Sequence, residues 1–248
     1  MAIDLNGVGD ATREFLNGSV VKADTADGTI AQWIRADNLS AFDGINNEIT
    51  SGTGLMIGGA SGNPLAYLWD GSAEFNAATG LTIKTDGTWQ FVALSAVAGV
   101  GITLYLGDLG AASLSSYADG NTSMTSKSFT TMQIGWDRTN SGREFNGQIA
   151  EAAWWSVGLT QADLTQMLRG FSPLQIRPDV LIDYLPLVSR PNPVKGAAAW
   201  TVNNSPAYTP HIPVIRPSRR SIFVPAAAAA SAVFPPLMGK IIRAAPAY

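Results

Sequence analysis

Met132-Gln-Ile-Gly135, then Phe145-Asn-Gly147-Gln-Ile-Ala-Glu151-Ala-Ala-Trp154-Trp155, then Leu159-Thr-Gln-Ala-Asp-Leu164 follow one another in that order. The first two stretches are short apolar runs cut by Gly and Asn, the pattern of strands separated by turns. They predict strands at Met132–Trp136 and Gln148–Trp155. The third stretch reads differently. Thr160 stands three residues before Asp163, an N-cap with an acidic residue at N3, which is a capping box with Asp in place of Glu or Gln. Leu159 and Leu164 bracket the cap as a hydrophobic staple, and Leu164, Met167 and Leu168 form one apolar stripe. Gly170 supplies the stop. A short helix over about 161–169 is expected, lying against a sheet edge or rim.

Outward from this block the chain reads as strands throughout. Thr29–Arg35, Leu55–Ile57, Leu65–Trp69, Leu81–Lys84, Trp89–Leu94, Ile102–Leu106 and Val180–Leu185 are further candidates. Leu65, Tyr67 and Trp69 put three large apolar residues on one face, as do Ile102, Leu104 and Leu106. Asp27-Gly28, Asp43-Gly44, Asp70-Gly71 and Asp86-Gly87 are turn signals that tolerate positive φ. Many short strands without interleaved helices predict an all-β fold, a two-sheet jelly-roll sandwich with one short helix.

The chain has 248 residues, 46% of them hydrophobic and 14% charged. That is too apolar for a disordered chain and low in charge for a freely soluble monomer, so part of the surface is expected to meet a partner. There is no Cys and a single His, His211. Disulfides and thiolate metal sites are excluded, and a His-dependent triad is disfavoured. No signal peptide is visible at the start and no run of apolar residues is long enough to span a membrane. Synthesis in a cytoplasm is the expectation.

Charge is divided unevenly. All 19 Asp and Glu lie in residues 1–189, against 9 Lys and Arg, a net of −10. Residues 190–248 hold no acid, 7 bases and 10 of the 14 prolines. The expected organisation is therefore an acidic sandwich over 1–189 and a basic, proline-rich, extended arm over 190–248. Pro disfavours helix and central strand, and an extended segment cannot bury its own apolar side chains. Ile212, Val214, Ile222, Phe223, Val224, Phe234 and Ile241 are thus expected to fill pockets on another surface. Arg216, Arg219 and Arg220 would set orientation through carboxylates on the partner or on a neighbouring copy. Most of the arm beyond about residue 205 is expected to touch other chains.

The opening block resembles the closing block of laminin G-like (concanavalin A-like) jelly rolls. There an Ile-Gly turn precedes a Phe-x-Gly-x-Ile-x-Glu strand, an aromatic-rich strand and a Leu-Ser/Thr-x-x-Glu/Asp-Ile/Leu helix. Thr29-Ile-Ala-Gln-Trp33 resembles the family's early strand with its Trp. Asp86-Gly-Thr-Trp89-Gln-Phe-Val-Ala93 and Thr103-Leu-Tyr-Leu-Gly107 resemble a later pair. The resemblance covers roughly residues 1–187 and implies the fold. It does not imply one function, because this sandwich hosts lectins, hydrolases, receptors and viral surface proteins. Leu181-Ile-Asp-Tyr-Leu-Pro-Leu187, Trp200-Thr-Val and the segment ending at Val214 are similar to tails of laminin G-like proteins of tailed bacteriophages. This implies a virion component.

The chemistry of the residues narrows the classes. Concanavalin A-like glycoside hydrolases need two carboxylates flanking the cleaved bond. The five Glu are Glu14, Glu48, Glu74, Glu144 and Glu151. None has another Glu within five residues or an Asp two residues away, so no catalytic residue is assigned; Glu151 is read as a structural strand residue. No cofactor is expected, although Asp24, Asp27, Asp137 and Asn140 are loop residues of the kind calcium takes. Trp33, Trp89 and one of Trp154 and Trp155 are expected inward, and the other of that pair outward, under the helix or at an interface. No nucleic-acid module is visible. The expected function is a non-enzymatic virion structural protein, a capsid decoration protein anchored by its arm to shell or neighbouring subunits and oligomeric in the assembly. The alternative is a carbohydrate-binding adhesion module of a head or tail fibre that meets a surface glycan.

Overall fold

The structure is a computed structural model. It describes residues 2–5, 14–19, 27–39, 43–50, 53–60, 63–69, 74–78, 80–119, 131–135, 144–188, 193–196, 199–210, 212 and 214. The strands are β1 (Ala2–Leu5), β2 (Phe15–Gly18), β3 (Gly28–Asn38), β4 (Asp43–Thr50), β5 (Thr53–Ala60), β6 (Asn63–Trp69), β7 (Glu74–Ala78), β8 (Gln90–Val97), β9 (Gly101–Asp108), β10 (Ser115–Asp119), β11 (Met132–Ile134) and β12 (Asn146–Trp155). Helix α1 (Gln161–Leu168) follows, then β13 (Leu181–Leu185), β14 (Trp200–Asn203) and β15 (Ala207–Thr209).

Two antiparallel sheets result. The first runs β10-β9-β8-β3-β12-β1-β15, with β13 also paired to β12; the second runs β14-β2-β11-β4-β5-β6-β7. The fold is the expected all-β jelly-roll sandwich with one short helix. Alternation along the strands builds two apolar layers. Ile30, Ile34, Val92, Leu94, Ile102, Leu104 and Trp154 of the first sheet meet Leu16, Met132 and Ile134 of the second. The other face of the first sheet carries Trp33, Phe91, Ala93, Ala150 and Trp155, and α1 covers it with Leu164, Met167 and Leu168.

Local chemistry places the helix as the sequence predicts. Thr160 Oγ1 accepts from Asp163 N–H at 3.2 Å, and the Asp163 carboxylate accepts from Thr160 N–H at 3.1 Å, closing the capping box. At the other end Gly170 N–H donates to Met167 O at 2.9 Å and Phe171 N–H to Gln166 O at 3.1 Å, the two bonds of a Schellman stop. The lead-in is pinned to the sheet. Thr29 Oγ1 donates to Val157 O and accepts from Leu159 N–H, both at 2.8 Å, and Ser95 Oγ donates to Leu159 O at 2.9 Å. Thr160→Ala should lower stability by about 1 kcal/mol, the usual cost of an N-cap. Urea denaturation checks this; an unchanged midpoint would mean that the cap contributes nothing.

Three expectations need correction. Leu81–Lys84 is not a strand: Lys84 N–H donates to the Gln90 side-chain Oε1 at 2.8 Å, a partner no ladder provides. Trp33 and Trp89, expected inward, belong to the helix-covered side of the first sheet. The paired tryptophans divide as expected, one inward and the other outward under the helix. A β-bulge at Glu151 shifts the β12 register against β3, so Trp154 enters the core between the sheets while Trp155 lies beneath the helix-side segment. The Trp155 indole N–H donates to Ile176 O at 2.8 Å.

The third correction concerns the arm. The expected boundary at 189/190 falls inside the sandwich. β14 pairs with β2 at the edge of the second sheet, and β15 pairs with β1 at the edge of the first. Ile212 is buried in the helix-side cluster and Val214 packs against it. Trp200, Tyr208, Ile212 and Val214 therefore spend their apolar side chains on their own sandwich. The prolines permit this because Pro206 and Pro210 flank β15 rather than interrupt it, and an edge strand needs only one row of ladder bonds.

Candidate functional site

Three places in the described structure gather polar chemistry. The first is where residues 193–196 and 199–209 close the sandwich. Asp183 on β13 is 1% exposed. Its carboxylate accepts from the Tyr184 backbone N–H at 2.7 Å and from the Trp200 indole N–H at 3.3 Å. Trp200 stacks on Trp154 with ring centroids 5.3 Å apart. Close approach on both sides depends on glycine. A Cβ at Gly18 would stand 2.6 Å from the Trp200 ring, and one at Gly196 would stand 2.6 Å from the Asp183 carboxyl. Burial pushes the Asp183 carboxyl up to about 6, against the two hydrogen bonds that favour its charged form.

The second place is a cleft of about 340 Å³ lined by Thr82, Lys84, Gln90, Asp108, Ser113 and Ser115, among others. Lys84 Nζ meets Asp108 Oδ2 at 2.5 Å, and Gln90 Nε2 donates to Asp108 Oδ1 at 2.8 Å. The hydrogen bond from Lys84 chiefly holds the Asp108 carboxyl below the usual carboxylate range, with Gln90 adding to it. Gln90 also donates to Thr82 O at 3.3 Å. The principal polar groups of the cleft thus engage one another, tying the 80–84 segment to the first sheet.

The third place is Glu151, 1% exposed, with a positive φ of 56° at the bulge. Its carboxylate accepts from the Tyr184 hydroxyl. Glu151 and Asp183 are shut away from any cleft, and Asp108 is ion-paired. Among the described residues these carboxylates flank no open substrate groove of the kind glycosidic cleavage needs. No group of three or more His, Cys, Asp or Glu among the described residues could hold a metal. Asp27 accepts from Ala98 N–H at 2.7 Å and so braces a turn, while Asp24, Asp137 and Asn140 lie outside the described residues. No helix among them is long and apolar enough to cross a membrane.

The sequence-predicted partner residues divide. Ile212 and Val214 are used by the sandwich itself, a correction to their assignment as docking groups. Arg216, Arg219, Arg220, Ile222, Phe223, Val224, Phe234 and Ile241 lie outside the described residues. Asp183 went unremarked in the sequence. Its signal was a lone acid in the apolar run Leu181-Ile-Asp-Tyr-Leu185, where a charge is expensive unless paired.

Comparison with known proteins agrees with this architecture. The sequence model of the concanavalin A-like lectin/glucanases superfamily, of laminin G type, matches residues 10–165. No curated protein matches the chain. Among solved structures, a SAP-like pentraxin from Limulus polyphemus superposes with a TM-score of 0.53 at 16% identity, covering 67% of this chain and 81% of the pentraxin. A putative carbohydrate binding protein from Bacteroides ovatus gives 0.52 at 16% identity, over 83% of this chain and 62% of that one. Tailspike protein 2 of Escherichia coli O157:H7 bacteriophage CAB120 gives 0.55 at 16% identity, over 77% of this chain but 27% of the tailspike. At such identities the likeness is one of fold.

Proposed function

The chain belongs to the concanavalin A-like lectin/glucanases superfamily, and from that premise we propose that it is a non-enzymatic structural component of a tailed-phage particle. The sandwich faces outward as a decoration domain, and the residues beyond Val214 anchor it to the capsid shell or to a neighbouring subunit. The observation that carries this reading is the charge division. Residues 215–248 hold five bases and no acid, while residues 1–189 hold every acid of the chain. Such a segment is suited to an acidic protein surface. The sealed environments of Glu151 and Asp183 support a role without catalysis. The tailspike likeness supports it only as a precedent for this fold in a phage protein.

The structure sets where the cut that tests the anchor must fall. Truncation at Pro206 would remove β15 and Ile212, and so damage the sandwich itself. Deletion of 215–248 should leave a protein with an unchanged thermal midpoint that is absent from purified particles. Incorporation at full copy number would overturn the proposal. Glycan binding by that same deletion protein, together with normal incorporation, would favour the adhesion module of a head or tail fibre.

A further inference from the structure

Strand β14 joins the second sheet from the C-terminal part of the chain, and the backbone on either side of it is fixed. Before it, Val194 N–H donates to Tyr184 O at 2.9 Å and Tyr184 N–H to Lys195 O at 3.1 Å, which bridges 194–195 to β13. After it, β15 is paired with β1. Gly196 stands between the bridge and β14 with a φ of 102°, and Asn204 and Ser205 stand between β14 and β15 with φ of 59° and 54°. The first conformation costs glycine nothing. Two successive left-handed residues that carry side chains hold strain in the short link. β14 is thus a four-residue edge strand slung between two pivots.

What this strand covers is a buried acid. The Asp183 carboxylate accepts from two N–H groups, those of the Tyr184 backbone and the Trp200 indole, whereas an ionised carboxylate offers about four acceptor positions. The elements packed against it bring no counter-charge. Lys195 turns its ammonium to Pro178 O. On β12, Trp154 stands opposite Asp183 in the ladder, and the Glu151 carboxylate is engaged by the Tyr184 hydroxyl. β14 and β2 carry no titratable side chain. Such a site suits a neutral carboxylic acid and resists the ion. Of the two donors, only Trp200 belongs to β14. Lifting the strand costs its ladder, the Trp200–Trp154 stack and the bonds from Thr201 and Asn203 to the β2 backbone. That cost is the same at every pH. The gain, hydration of the carboxylate, exists only when Asp183 is charged.

We propose that β14 is a proton-latched flap: it lies closed over Asp183 while that carboxyl is protonated, and it lifts on Gly196 at one end and Asn204–Ser205 at the other when the carboxyl ionises. Lifting bares the Phe15–Gly18 edge of the second sheet and leaves β15 paired with β1. The flap goes beyond the anchoring role and does not depend on it.

The test is amide hydrogen exchange of the full chain at about pH 5 and about pH 7.5, corrected for the intrinsic pH dependence of exchange. An opening that returns the Asp183 carboxyl from about 6 to its ordinary 3.8 should make the β14 amides that donate to β2 exchange about tenfold faster at the higher pH. At both pH values they should exchange well before the amides of β12, because the flap opens without the sandwich. Asp183→Asn, neutral at both pH values, should erase the tenfold ratio, and Asp183→Leu keeps the test open if Asp183→Asn fails to fold. The proposal is overturned if the ratio is absent in the parent or survives in these variants. It is overturned equally if β14 exchanges no sooner than β12, which would mean that the strand opens only when the sandwich unfolds.

Discussion

Trp200→Ala should lower the free energy of unfolding by about 3 kcal/mol, the low end of the cost of removing a buried Trp, because Trp200 keeps some exposure. Three losses coincide at this residue. The stack on Trp154 disappears, the space left open by Gly18 becomes a void, and Asp183 loses one of its two N–H donors. The last matters most electrostatically, because a buried carboxylate with fewer donors is harder to keep charged. β14 is an edge strand with exposed central residues, so beyond its ladder and the bonds from Thr201 and Asn203 to the β2 backbone, Trp200 is its main side-chain tie. Denaturant unfolding at pH 7 gives the free energy. Hydrogen exchange of the Trp200–Asn203 amides gives the location, and exchange should accelerate there before it does in β3 or β12. An unfolding free energy within about 0.5 kcal/mol of the parent, the range of ordinary surface changes, would mean that the C-terminal closure is held by backbone pairing alone.

The stability of the sandwich should fall as pH rises from about 4 to 7, and Asp183 is the cause. Its carboxyl sits at about 6 in the folded protein against an ordinary 3.8. A raised folded-state value means that the native state binds the proton more tightly than the unfolded chain does. The contribution is fully present below 3.8, is lost as pH passes through about 6, and is flat above. At 1.36 kcal/mol per pH unit the change is on the order of 3 kcal/mol. Asp4 acts in the same direction, raised mainly by burial and then by Asp37. Asp108 and Asp86 act oppositely, since their carboxyls are held below the ordinary value by hydrogen bonds from Lys84 and Thr88, and their stabilisation is lost as pH falls below about 4. Subtracting the curve of Asp183→Asn from that of the parent isolates the Asp183 part. Parallel curves between pH 4 and 7 would refute the assignment.

How far these features could be read beforehand depends on the range over which each interaction acts. The Thr160–Asp163 cap, the Schellman stop at Gly170 and the turn at Gly87 were legible because their partners lie within a few residues. The all-β sandwich class was legible from the alternation of Leu65, Tyr67 and Trp69 and of Ile102, Leu104 and Leu106, and from the many short strands without interleaved helices. The Leu81–Lys84 misreading shows the limit of that signal. Leu81 and Ile83 do reach the core, but as loop residues whose backbone is met by Gln90.

By itself, then, the sequence determined the class of fold, the helix with both of its ends, and the split between an acidic sandwich and a basic terminus. Each of these rests on local hydrogen bonding, on side-chain periodicity or on composition. Only the tertiary structure decided where that split begins. The bond from Thr201 to Asn17 spans 184 residues, and no local pattern announces that residues 200–209 supply one edge strand to each sheet. The same holds for the burial of Asp183 beneath Trp200. Strand registers brought together from distant parts of the chain create those environments, and a side chain's solvation follows from what the fold sets beside it.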